Sequence, residues 1–92
     1  MAHRLRIFGR VQGVGFRAFV AREAASRRVN GWVRNRTDGT VEALVWGDEA
    51  VIDDLLRSIR VGPRWGRVDR LDVTVEMNVE GRPDGFHVRA DR

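Results

Sequence analysis

Ninety-two residues, 42% of them apolar and 33% charged, are enough for one hydrophobic core and too few for two. The chain is therefore expected to form a single domain over residues 1–92, and its composition argues against disorder. It has no cysteine, which excludes disulfides, thiolate metal sites and thiol nucleophiles, and its net charge of +4 is carried by arginine alone, since no lysine is present.

The missing lysine reads as a compositional bias of the source genome. On its own, the basic balance implies only weak, non-specific attraction to nucleic acid. No apolar run approaches the ~20 residues of a membrane span. The segment from Met1 to Phe8 lacks the apolar stretch of a signal peptide, so the expected location is the cytoplasm. His3 and His87 lie near the chain ends and read as solvated or sheet-edge residues. Ser26 and Ser58, the only serines, fall in helical patterns, which leaves a Ser-His-Asp triad with thin support.

In chain order, Leu5 and Ile7 alternate with Arg4, Arg6 and Phe8 to predict a first strand. A loop from Gly9 to Gly15 follows. Phe16, Phe19, Val20 and Ala24 then recur at helical spacing, and Val29-Asn30-Gly31 reads as the stop of that helix. Trp32 to Asn35 reads as a second strand, Asp38-Gly39 as a hairpin turn, and Thr40 to Trp46 as a third strand with Val41, Ala43 and Val45 on one face. Asp48 is placed as the N-cap of a second helix whose apolar stripe is Val51, Ile52, Leu55, Leu56 and Ile59. Gly62-Pro63 breaks it. Val68 to Met77 reads as a fourth strand with Leu71, Val73, Val75 and Met77 on one side; Phe86 and Val88 mark a short closing strand, either a fifth or a partner of the fourth. The order β-α-β-β-α-β predicts an α+β, ferredoxin-like sandwich with two helices on one face of an antiparallel sheet.

The chemistry gathers at two segments. Gly13 and Gly15 permit positive φ and close approach of a ligand to the backbone; the alternative is a turn that merely needs flexibility. The loop lacks the lysine and hydroxyl of a Walker motif and the third glycine and downstream acid of a dinucleotide fingerprint. Arg17 falls in the first turn of the predicted helix, where the macrodipole disfavours a cation by roughly 0.3–1 kcal/mol. Arg10 stands at the other end of the loop. An anion held between the two arginines would account for both; an exposed arginine tolerating a small penalty would too. Asn35 is either a turn residue or an amide that orients water. No histidine, thiol or carboxylate pair is placed to act as a general acid. A phosphoryl group could then be cleaved only from a leaving group that departs unaided, such as a carboxylate, whose conjugate acid has a pKa of about 4. The proton of the attacking water would pass to an oxygen of the phosphoryl group itself.

Gly9-Arg10-Val11-Gln12-Gly13-Val14-Gly15-Phe16-Arg17 and Gly31-Trp32-Val33-Arg34-Asn35, the latter followed by Asp38-Gly39-Thr40-Val41, resemble the two signature motifs of acylphosphatases. The resemblance spans essentially the whole chain. The Gly62-Pro63 break and Phe86-His87-Val88-Arg89 are similar to the small bacterial and archaeal members. The stretch from Asn78 to Pro83 is less typical of the family. The resemblance implies cofactor- and metal-independent hydrolysis of the carboxyl–phosphate anhydride of small acyl phosphates. It also implies that Arg17 binds the phosphate, that Asn35 orients the nucleophilic water, and that the backbone N–H groups of Gln12, Gly13, Val14, Gly15 and Phe16 form a cradle. The Phe16 side chain is read as core, and Thr37 and Asp38 as turn.

Acylphosphatase-like domains also occur inside larger carbamoyl-transferring maturation proteins, so a phosphate-binding module with little turnover is a rival reading. The chain length favours a free-standing enzyme, and a monomer is expected. RNA binding is a second rival, because RNA-recognition domains share this topology and stack bases on exposed sheet aromatics, here Phe8, Trp32 and Trp46.

Overall fold

The computed structural model describes residues 1–92. Seven elements follow one another: β1 (Ala2–Arg10), α1 (Phe16–Ser26), β2 (Asn30–Asn35), β3 (Val41–Trp46), α2 (Glu49–Val61), β4 (Arg67–Glu76) and β5 (Phe86–Val88). They form a five-stranded sheet in the order β4-β1-β3-β2-β5 with both helices against one face. The expected ferredoxin-like sandwich is therefore present. One part of the expectation is corrected: the sheet is mixed, because β5 pairs parallel with β2 while the other ladders are antiparallel. The closing strand is thus a fifth strand on the edge opposite β4.

Alternation along the strands sorts the side chains. Leu5, Ile7, Val33, Val41, Ala43 and Val45 face the helices, where they meet Phe16, Val20 and Ala24 of α1 and Ile52, Leu55, Leu56 and Ile59 of α2. The opposite face carries a second, smaller cluster of Ala2, Trp32, Leu44 and Trp46, covered by Val79. The Ser58 hydroxyl on α2 donates to the Glu23 carboxylate on α1 and ties the helices together.

Several boundaries differ from the sequence reading. α1 stops at Ser26, because Arg28 takes the left-handed conformation that ends the helix (φ 57°) and Val29 N–H turns back to the Ala24 carbonyl. Asn30 and Gly31 consequently belong to β2. β1 runs on to Arg10 and includes Gly9, where the pairing with β4 shifts register. Asp48 occupies the N-cap of α2, but its side chain makes no capping hydrogen bond. Val73 and Val75 of β4 are exposed, and Met77 lies beyond the strand. β4 is an edge strand that α2 covers only near Val68 and Leu71. His3, expected at the surface, is buried on β1 because β3 and β4 flank that strand.

Candidate active site

The loop between β1 and α1 turns through two left-handed glycines, Gly13 (φ 74°) and Gly15 (φ 75°). A Cβ at either would meet nothing within 4 Å, so glycine is needed there for its backbone conformation and not for space. Gly15 is the N-cap of α1, with no side-chain cap and no acidic residue in the first turn. The first helical hydrogen bond runs from Phe19 N–H to the Gly15 carbonyl at 3.0 Å. The N–H groups of Phe16, Arg17 and Ala18 therefore point from the positive end of the helix dipole without a cap.

A cleft of about 250 Å³ opens at this point. Gly13, Gly15, Phe16, Arg17 and Ala18 line one side, and Asn35 and Val88 line the other. Phe16 is 1% exposed and belongs to the core, as its spacing implied. Asn35 ends β2 on the same face as the buried Val33, and strand alternation is what aims it at the N-terminus of α1. Its Oδ1 is buried and accepts no hydrogen bond from the protein. A buried carbonyl oxygen left so costs on the order of 1–3 kcal/mol unless something donates to it.

Asn35 is placed by the hairpin it begins. Arg36 N–H donates to the Thr40 carbonyl at 2.8 Å, closing the turn. The Asp38 carboxylate accepts from the Thr40 N–H (3.0 Å) and hydroxyl (2.6 Å), and these bonds hold it below its ordinary range. The Gln12 amide Nε2 donates to the carbonyls of both Arg36 and Thr40 at 2.8 Å, locking the glycine loop to the hairpin.

Arg17 is part-exposed, and its Nη1 donates to Asp91 Oδ1 at 3.0 Å and to the Arg89 carbonyl at 3.3 Å. Nε and Nη2 have no partner in the chain. The structure thus brings Gly13, Gly15, Phe16, Arg17 and Asn35 to one cleft. The Gln12 side chain points instead to the hairpin, and Val14 packs against the core. Arg10 does not line the cleft, so the arrangement has one arginine rather than an opposed pair. Neither histidine lines it; His87 Nε2 sits 2.7 Å from the Asp84 carbonyl. Ala18, Val88 and Asp91 were missed by the sequence reading. Ala18 was recoverable as the small residue after Arg17, but nothing local marks the other two.

A bare helix N-terminus, a neighbouring arginine and an unsatisfied amide oxygen in one cleft of an α+β sandwich can accept an anion such as a phosphoryl group. A family model described as acylphosphatase matches residues 3–88. An acylphosphatase of Thermococcus kodakarensis is 51% identical over 84 residues, covering 91% of this chain and 90% of its own. One of Thiobacillus denitrificans is 45% identical over 87 residues, covering 95% and 94%. The crystal structure of acylphosphatase from Bacillus subtilis superposes with a TM-score of 0.90 at 39% identity, covering 96% of this chain and 97% of that one. The chain belongs to the acylphosphatase family. It is an enzyme of that class, acting on small-molecule acyl phosphates and releasing inorganic phosphate.

Proposed function

We propose that Arg17 and Asn35 carry the reaction, with the loop and the first turn of α1 as the phosphoryl cradle. The guanidinium of Arg17 grips the phosphoryl oxygens, and backbone N–H groups from Gln12 to Phe16 complete the binding. Asn35 Oδ1 accepts a hydrogen bond from water and holds it in line with the acyl–phosphate bond. The water oxygen bonds to phosphorus as the bond from phosphorus to the acyl oxygen breaks. The electron pair leaves on the carboxylate, and the water's proton passes to a phosphoryl oxygen. Catalysis of this kind needs positioning and stabilisation of charge on the equatorial oxygens, and an arginine with oriented amides supplies both without a metal. The observation that carries the reading is the unsatisfied, buried amide oxygen of Asn35 facing the uncapped end of α1 across one cleft.

The enzyme is further proposed to act as a cytoplasmic monomer. All the residues invoked come from one chain, and a chain without cysteine needs no oxidising compartment. Stacking of RNA is disfavoured by what covers the aromatics. The guanidinium groups of Arg34 (4.7 Å) and Arg89 (4.9 Å) both pack on Trp32, Arg70 covers Phe8 at 4.1 Å, and Trp46 is buried. The test is hydrolysis of benzoyl phosphate followed by ultraviolet absorbance, with p-nitrophenyl phosphate as control and EDTA present throughout. Cleavage of the anhydride, undiminished by EDTA and without cleavage of the ester, is expected. A folded sample that binds phosphate but turns over neither substrate would favour a phosphate-binding module.

A further inference from the structure

Arg17 is the residue on which the phosphoryl group is proposed to rest, yet a free arginine on a helix surface swings through many rotamers. In this chain the segment after β5 holds it. Arg89 N–H donates to the Val33 carbonyl at 2.8 Å, and Arg92 N–H donates to the Asn35 carbonyl at 2.9 Å, so residues 89–92 run along β2 to the catalytic asparagine. The Arg89 guanidinium stacks on Trp32, while its carbonyl accepts from Arg17. Asp91 then meets Arg17 Nη1 at 3.0 Å. Nη1 thus donates to two acceptors of this segment.

We infer that residues 89–92 form a strap across the site and that Asp91 is a positioning residue for Arg17. The inference rests on the assignment of Arg17 as phosphate ligand. Engaging Nη1 leaves the Nε–H and Nη2–H donors, which lie on one edge of the guanidinium and match two phosphoryl oxygens as a fork. The strap therefore occupies the donors a side-on phosphate does not use, and presents those it does. Arg89 acts as the anchor at the far face of the sheet, so the strap is fastened on Trp32 and delivers Asp91 to the cleft.

A carboxylate beside an arginine can also compete with the substrate for it, and the two roles change phosphate affinity in opposite directions. The experiment measures the dissociation constant of inorganic phosphate by calorimetry, and kcat and KM on benzoyl phosphate, for the parent and for Asp91→Asn, Asp91→Glu, Arg89→Ala and Arg17→Ala. Asp91→Asn should weaken phosphate binding about three- to tenfold and raise KM in parallel, with kcat nearly unchanged. Asp91→Glu should recover most of the loss, and Arg89→Ala should shift binding in the same direction as Asp91→Asn. Asp91 is 64% exposed, so its substitutions leave the melting temperature where it was, which separates positioning from folding. Tighter phosphate binding in Asp91→Asn would overturn the strap in favour of a competing carboxylate. Unchanged binding, or no recovery with glutamate, would overturn it too. If Arg17→Ala retains phosphate affinity, the Arg17 assignment itself fails; if it loses affinity while Asp91→Asn does not, only the strap fails.

Discussion

Asn35 and Arg17 are both polar, both near a turn and both in the cleft, but the proposed reaction gives them different work. Asn35 Oδ1 is buried and unpaired at the wall of the cleft; Arg17 lines the same cleft with two nitrogens free. Asn35→Ala should lower kcat by about 10²–10³ while leaving the inhibition constant of phosphate within about threefold, because a water-orienting group acts in the transition state and not on bound product. Equal losses in both would remove the water-orienting role. Arg17→Ala should lose phosphate affinity and turnover together, by about 10³ or more in kcat/KM, and Arg17→Lys should recover little because a point charge cannot reproduce the fork. Steady-state kinetics with phosphate as competitive inhibitor reads all three variants. Both residues were legible in the sequence, since each sits beside its own glycine turn. The partners that position them were not: Asp91 lies 74 residues from Arg17, and only the fold brings the two together.

At the scale of elements, the site depends on how the glycine loop and the β2–β3 hairpin are held against each other. Gln12 is the clearest link, donating to two hairpin carbonyls. Each of those carbonyls also accepts a backbone N–H, from Gly39 or from Arg36, so removing the amide orphans neither. Gln12→Ala should therefore cost only about 1 kcal/mol of stability, or a few degrees in melting temperature. Its larger effect should be on kcat, which falls by about tenfold as the cradle and Asn35 lose their mutual register. Calorimetry and kinetics on one sample check both; a kcat that follows stability alone would refute the link. The elements themselves were legible because their apolar periods are clean, as in the Ile52, Leu55, Leu56 and Ile59 stripe of α2. Less legible was the end of α1, where Arg28 adopts a conformation usually left to glycine, so that Asn30 and Gly31 looked like the stop. The parallel pairing of β5 was also hidden, because a three-residue strand carries no signal of its neighbour or direction.

Across the whole molecule, the helices cover most of one face of the sheet, while the other carries a charge network beside its small apolar cluster. Glu42, at the centre of the second face, is 3% exposed and accepts from Arg4 (2.7 Å), Arg34 (2.7 Å) and Arg36 (3.2 Å). Arg4 is shared in turn with Glu76. Alternation placed Glu42 opposite the core positions, but nothing in the sequence showed that three arginines would close over it. Burial pushes its carboxyl up, yet the hydrogen bonds from Arg34 and Arg4 and the charge of the arginines outweigh that, so it lies below its ordinary value of 4.5. The unfolded chain therefore binds a proton at this position more readily than the folded one. The resulting stabilisation is present in full above about pH 5 and is lost as pH falls through the lowered folded value. Glu76, also lowered by Arg4, adds a weaker dependence of the same sign. Glu42→Gln should lower stability at pH 7 by about 1–3 kcal/mol, since the arginines lose a buried carboxylate while Arg4 and Arg36 stay partly open to water. It should also flatten the fall in stability as pH drops below about 5, with parent and variant converging at the acid end. Urea unfolding at a series of pH values reads both effects. Parallel curves, offset by a constant, would mean that Glu42 contributes through packing and not through its charge. Because Glu42 does not line the cleft, kcat of the folded variant at pH 7 should match the parent, so the loss of stability and the chemistry of the site can be told apart in the same preparation.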